Sequence, residues 1–273
     1  MPLMSTFMNQ SANERARMPK GTSSVLDSRR LQDSYATLVP LLRKGMRVLD
    51  VGCGTGAISA GIAGMVGETG AVVGIDSSQH LIAKGREDHA AVRQLTLLEA
   101  DLFTWCPDEK FDLIISARVL QWLNNPGEAL AKFKSLLNPG GIVSVLDYNH
   151  ALLEWTPAPP ESMQQFYAAF LKWRADAGMD NEIADHLPAL FKQAGFHAIE
   201  SLNADEVYSR DNASFTSKVG IWSKVAALRG PQMVQDGYIT DAARIQAMNE
   251  YGVWLKGEAE KMVMKLKDVR AGI

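Results

Sequence analysis

From Met46 to Asn149 short aliphatic runs alternate with helix-length amphipathic stretches, the pattern of βαβ units that feed a parallel sheet. Runs such as LIIS and IVSVL are almost continuously apolar, as strands buried on both faces must be. The pattern predicts strands at Arg47–Val51, Ala71–Ile75, Leu95–Glu99, Asp112–Ser116 and Ile142–Asp147. Helices are expected over Ala57–Val66, Ser78–His89 and Gly127–Leu137, the last entered through Asn125-Pro126 and stopped by Asn138-Pro139-Gly140-Gly141.

The rhythm breaks over 148–182, where WTPAPPE is too proline-rich for a regular element and ESMQQFYAAFLKWRADAG follows as one amphipathic helix. This reads as a cap inserted into a domain spanning 46–273, with 1–45 as an N-terminal helical arm or lid. Its aromatic residues, Tyr148, Trp155, Phe166, Tyr167, Phe170 and Trp173, suit core packing and an apolar lid equally well. A helix over Ile183–Ala194, a strand in FHAIESLNADEVY and helical segments near Ala213–Leu228 and Asp241–Glu250 come next. Met262, Met264 and Leu266 then alternate with Val263, Lys265 and Lys267, a period of two that predicts a final, partly exposed strand.

Composition narrows the partners. The 273 residues carry a net charge of −3, so no strong field draws the chain to a polyanion, and a nucleic-acid partner is not expected. The first twenty residues hold no apolar segment of signal-peptide length, and no later run approaches a membrane span, so a cytoplasmic protein without membrane insertion is expected. Cys53 and Cys106 lack the spacing of metal ligands, and no metal is expected. Nothing in the sequence assigns an oligomeric state.

The chemistry concentrates at VLDVGCGTG, 48–56, a strand running into a glycine turn and then a helix, where a ligand can lie directly on the main chain. Gly52, Gly54 and Ala57 also satisfy the dinucleotide pattern G-x-G-x-x-A, so the glycines alone do not choose the ligand. Asp50 discriminates: its carboxylate would repel a pyrophosphate, whereas it suits a ligand bearing an ammonium and a sulfonium. Asp76, ending VVGID, can accept hydrogen bonds from two ribose hydroxyls or cap the helix that follows.

With LLEADLFTW, FDLIISARVLQWLNNP and LNPGGIVSVLDYN following in order, the chain resembles the class I S-adenosylmethionine-dependent methyltransferases. It is similar to the broad group holding the ubiquinone and menaquinone C-methyltransferases and many small-molecule enzymes. The resemblance implies an α/β fold, a Rossmann-like, mostly parallel sheet of seven strands in the order 3-2-1-4-5-7-6, with the last strand antiparallel and a helical cap. It implies S-adenosyl-L-methionine held by Asp50, Gly52, Cys53, Gly54, Gly56, Asp76, Ser77, Asp101, Leu102 and Arg118, with Asp101 on the adenine amine and Leu102 over the ring. A small-molecule acceptor, methylated at O, N or C, is expected. Ala117-Arg118 replaces the Asn/Asp-Pro-Pro-Tyr of amino-methyltransferases. An RNA or protein methyltransferase, or a non-catalytic cofactor-binding protein, stays open.

Methyl transfer needs no side-chain nucleophile, but an oxygen or nitrogen acceptor can need a base. His150, with Tyr148 and Glu154 beside it, follows the fifth strand at the edge where open α/β sheets bind ligands, and His150 is the first candidate. Tyr35, Trp122 and Trp155 are the candidates for contact with the acceptor.

Overall fold

The structure, a computed structural model, describes residues 12, 14–17, 19, 21 and 26–273, so much of the expected arm lies outside the described residues. The described residues build a sheet of eight strands in the order β3-β2-β1-β4-β5-β8-β6, with β7 paired to β8. These are β1 Arg47–Val51, β2 Ala71–Asp76, β3 Leu95–Glu99, β4 Phe111–Ala117, β5 Leu137–Thr156, β6 His197–Asn203, β7 Glu206–Ser209 and β8 Lys261–Gly272. Strands β1 to β5 are mutually parallel and β8 is antiparallel to β5, β6 and β7.

The near-continuous apolar runs have the expected cause. Val48, Leu113 and Ile115 face one hydrophobic cluster, while Leu49, Ile114 and Val143 face a second on the opposite side. The first cluster is closed by α1 (Leu31–Ser34), a 3₁₀ turn at Ala36–Leu41 and α2 (Ala57–Val66). The second is closed by α4 (Pro126–Leu136) and α6 (Ile183–Gln193), while α3 (Gln79–Asp88) covers β2 and β3.

Three expectations are corrected. The sheet has eight strands, because FHAIESLNADEVY is divided at Ala204-Asp205: the Asp205 amide donates to Asn203 Oδ1 at 2.8 Å while Asp205 Oδ1 takes the Leu266 amide at 3.0 Å. Residues 148–156 are not irregular but prolong β5, past a register shift between Asn149 and Glu154, so that Trp155 and Thr156 pair with Met262 and Lys261. The last strand is more buried than its alternation predicts: lying between β5 and β6, it buries Met262, Val263, Leu266, Val269 and Ala271 and leaves Lys261 exposed and Lys265 and Lys267 half-buried.

Over the first cluster lies a helical layer of α5 (Glu161–Ala175), α7 (Phe215–Val219), α8 (Ile221–Leu228), α9 (Gly230–Gln235) and α10 (Asp241–Gly257). Arg229 joins this layer to the N-terminal segment, its Nη1 donating to the carbonyls of Arg15 and Arg17 at 2.6 Å each. Arg15 donates in turn to the Trp173 carbonyl and pairs with Asp236 at 3.4 Å. Among the described residues no helix is long and apolar enough to cross a membrane, and no cluster of His, Cys, Asp and Glu could hold a metal ion.

Candidate active site

The carboxyl ends of β1, β2, β4 and β5 share one edge of the sheet, and the expected cofactor residues gather there. After β1 the chain turns through Gly52 (φ 73°), Gly54 (φ 57°) and Gly56 (φ 76°), left-handed conformations that favour glycine. A Cβ on Gly52 would lie 2.3 Å from Val119 Cγ2, so the turn needs bare main chain there on steric grounds as well. The Gly52 and Cys53 amides donate to the Ile75 carbonyl at 2.8 and 3.1 Å, Gly54 to Asp76 Oδ2 at 2.9 Å and Gly56 to the Cys53 carbonyl at 2.9 Å. A diphosphate site needs amides turned outward, and these four are occupied by the protein.

Asp50 is only 3% exposed and accepts from Ser59 Oγ at 2.5 Å. Burial pushes its pKa up to about 6, the Ser59 hydroxyl opposes the rise and the Asp76 charge adds to it. The charge that would relieve this carboxylate is a cation, as the ammonium of an amino-acid nucleoside is. Asp76 accepts from the Gly54 amide through Oδ2 and from the Ser78 amide through Oδ1 at 2.8 Å, and burial raises its pKa despite both bonds. Each oxygen keeps a second lone pair, which fits a pair of ribose hydroxyls. Ser77 is exposed beside it.

Cys53 rests against Gly74, where an added Cβ would come within 2.9 Å of its Sγ; burial, then the Asp50 and Asp76 charges, push the thiol well up, so it stays a neutral packing group. Asp101 is exposed, its Oδ1 taking the amides of Phe103 and Thr104 at 2.8 and 3.2 Å, and Leu102 is half-buried beside it.

The other candidates form two linked networks. Arg118, the first residue after β4, donates from Nε to the Tyr148 hydroxyl at 2.8 Å and from Nη2 to Glu206 Oε1 at 2.5 Å and the Ser34 carbonyl at 3.0 Å. Tyr148 donates to Glu206 Oε2 at 3.3 Å, and burial pushes its pKa up to about 12 against the pull of Arg118. A phenol so held is a poor base. His150 is 6% exposed, with Nε2 2.6 Å from Gln121 Oε1. Burial, then the Arg174 charge, lowers its pKa well below the usual 6.5. Its ring centroid lies 5.2 Å from that of Tyr148, 6.0 Å from Phe170 and 6.2 Å from Trp222. Trp155 joins this group edge-on to Tyr167 and Trp222, its Nε1 donating to the Tyr251 hydroxyl at 3.1 Å.

Tyr35 and Trp122 are both held in packing, Trp122 edge-on to Phe170 of the His150 group. Tyr35 is buried with its hydroxyl on Ser144 Oγ at 2.9 Å and Asp268 Oδ1 at 3.4 Å, which ties the N-terminal segment to the sheet. Trp122 lies beneath the guanidinium groups of Arg174 and Arg229, 4.6 and 4.4 Å from its ring centroid, as a packing residue. Glu154 lies on an outer stretch of β5, paired with Lys265 at 3.2 Å. Sequence reasoning missed Gln121, Arg174, Glu206 and Trp222. Gln121 could have been found through its place beside Trp122 after β4; the others come from distant segments with no local signal.

The geometry defines a class, and comparison with known proteins agrees. Residues 42–208 match the family model described as methyltransferase domain, and the chain belongs to that family; it is a class I S-adenosylmethionine-dependent methyltransferase. A relative named "Probable methyltransferase ltbC" from Aspergillus luteorubrus is 29% identical over 69% of this chain and 70% of its own length. The trans-aconitate 2-methyltransferase of Methylobacterium radiotolerans is 30% identical over 58% of this chain and 57% of its own length. In fold, the chain resembles Haemonchus contortus phosphoethanolamine N-methyltransferase 2, with a TM-score of 0.53 at 16% identity, covering 87% of this chain and 51% of that one.

Proposed function

We propose that the chain transfers a methyl group from S-adenosylmethionine to a small-molecule acceptor at O, N or C, and that it works in the cytoplasm. The observation that carries this reading is the turn at 52–56, whose Gly52, Cys53, Gly54 and Gly56 amides are spent inward beside a buried carboxylate that pairs with no cation among the described residues. Asp50 would face the ammonium, Asp76 the ribose, and the Asp101-Leu102 turn the adenine. When bound, the cofactor supplies an electrophilic methyl on a sulfonium.

The chain's own residues then do three things. They align the acceptor along the line of displacement, exclude water with the layer of α5 and α7 to α10, and take up a proton where the acceptor sheds one. Gln121 fixes which nitrogen of His150 can accept it. Its Nε2 donates to the Arg118 carbonyl at 3.1 Å and its Oε1 accepts from Arg174 Nη1 at 3.3 Å, so the amide is oriented and Oε1 faces His150. His150 therefore carries its proton on Nε2 and keeps the Nδ1 lone pair for the acceptor. Its low pKa keeps it neutral at physiological pH, and a weak base suffices because a hydroxyl becomes more acidic as its oxygen bonds to carbon.

Calorimetric titration of the purified chain with S-adenosylhomocysteine and with NADH tests the cofactor assignment: tight binding of the first and none of the second is expected. The reverse result would defeat it. With an acceptor found by screening, His150→Ala should lower kcat and leave cofactor affinity in place; full turnover would remove His150 as the base.

A further inference from the structure

Arg118 is a long cationic side chain at a point where the fold pays a conformational cost to place it. Its φ of 64° puts a non-glycine residue in the left-handed region immediately after β4, and its neighbour Val119 packs on Gly52 of the cofactor turn. The side chain is 3% exposed. Nε and Nη2 are bonded to Tyr148, Glu206 and Ser34, but the buried Nη1 reaches no hydrogen-bond partner among the described residues. Buried guanidinium donors are satisfied as a rule, so an orphaned one beside a candidate catalytic edge points to a group that arrives with a ligand.

The charge balance points the same way. Glu206 is shared: Arg118 holds Oε1, Tyr148 reaches Oε2 and the Tyr208 hydroxyl also donates to it. Arg29 is a second cation in the same cluster, its own pKa lowered by burial and then by the Arg118 charge. Among the described residues, two guanidinium groups, Arg118 buried and Arg29 half-buried, stand against one carboxylate, a surplus of positive charge that is costly until an anion joins it. Tyr148 lies two residues before His150 on β5, so this surplus borders the position where a proton would be taken up.

We propose that Arg118 forms a receptor for a planar oxyanion, a carboxylate or its equivalent, carried by the methyl acceptor. The fork of Arg118 suits such a group, because Nη1 supplies donors in one plane with those already used. This rests on the methyltransferase reading and adds to it the class of acceptor. The chemistry could also be met by the cofactor's own carboxylate, so the test separates the two.

The whole chain, saturated with S-adenosylhomocysteine, is titrated with sodium benzoate and with neutral benzamide at fixed ionic strength, and binding is followed by calorimetry. Benzoate should bind saturably and benzamide about tenfold more weakly or worse. Arg118→Gln should abolish the preference, while Glu206→Gln, which removes the competing anion, should tighten benzoate about threefold or more. Should Arg118→Gln fail to fold, Glu206→Gln decides alone, since a purely structural carboxylate would give no gain on removal. Repeating the titration with 5′-methylthioadenosine, which lacks the amino-acid carboxylate, should leave benzoate affinity unchanged. Benzoate binding seen only with 5′-methylthioadenosine would give the receptor to the cofactor and overturn the proposal, as would no saturable benzoate binding with either nucleoside. Failure of S-adenosylhomocysteine itself to bind would instead overturn the reading beneath it.

Discussion

Replacing Asp50 with asparagine separates what this residue costs the empty fold from what it gives a ligand. Burial raises the Asp50 pKa from its usual 3.8 to about 6, so the folded chain holds that proton more firmly than the unfolded chain does. The shift of about 2 units corresponds to roughly 3 kcal/mol of destabilisation once the carboxyl is fully ionised. The cost is absent below pH 3.8 and grows as the pH rises towards about 6, because over that window the folded state binds more protons than the unfolded one. Asparagine does not titrate. Its stability relative to wild type should therefore improve by about 1 to 1.5 kcal/mol between about pH 5 and pH 7.5. Its added N–H can cost about 1 kcal/mol in a buried site, but that cost is the same at both pH values and drops out of the comparison. Urea unfolding of both proteins at the two pH values measures the change directly. With S-adenosylhomocysteine present the order should reverse, because losing a charged partner of the ammonium weakens binding by about 1.5 to 3 kcal/mol, roughly 10- to 100-fold. A stability gap that does not move with pH, or an unchanged affinity, would refute the picture of a buried carboxylate waiting for a cation.

Other consequences follow from the same geometry. Gly52→Ala combines a left-handed φ of 73° with a 2.3 Å approach to Val119. It should cost about 2 to 4 kcal/mol in urea unfolding, and adding Val119→Ala should restore the crowding part but not the backbone part. Asp76→Ala should weaken S-adenosylhomocysteine and adenosine by the same factor, about tenfold or more by calorimetry, since both carry the ribose; a loss confined to S-adenosylhomocysteine would move Asp76 off the sugar. His150, whose folded pKa lies well below 6.5, refuses a proton that the unfolded chain accepts, so its contribution is lost as the pH falls below about 6.5. The stability gap between wild type and His150→Gln should shrink in acid by up to about 1.4 kcal/mol per pH unit, read by unfolding at pH values of about 7.5 and 5.5; a constant gap would show that the ring is not buried as a neutral base.

Legibility in the sequence tracked how local each feature is. Strand β1 and helix α2 fall on the residues that their apolar pattern marks, β1 because a strand buried on both faces leaves an unbroken aliphatic run; β3 is also found where expected although only Leu97 of it is buried. The far half of β5 could not be read this way. Tyr148, Asn149 and His150 are all buried there, yet two are polar and bonded to partners from elsewhere, so they print neither alternation nor an apolar run. Strand β8 is more buried than its lysines suggest: Lys265 and Lys267, in mid-strand, reach out to Glu154, Asp205 and Asp185 while the residues around them are core. Tyr35 and Trp122 were read by residue type alone, and both side chains turn into packing that only the tertiary fold creates.

The same contrast divides the candidate site. The half proposed for the cofactor lies within 50–102, on consecutive strand ends whose spacing is set by βαβ geometry. Its acceptor half joins Ser34, Arg118, Tyr148 and Glu206 in one network and Gln121, His150, Arg174 and Asn181 in another, drawn from the N-terminal segment, the turn after β4, the extended β5, the α5 region and β7. The two halves touch where Val119 rests on Gly52 and where the Gln121 amide bonds the Arg118 carbonyl. On the proposed assignment, substitutions in α5 or β7 are expected to change the acceptor half without disturbing the turn proposed for the methyl donor, whereas a change at Arg118 or Gln121 reaches both. On that reasoning Glu206→Gln should alter the preference for anions while S-adenosylhomocysteine affinity stays within about twofold of wild type, and a larger cofactor effect would show that the two halves are not separable.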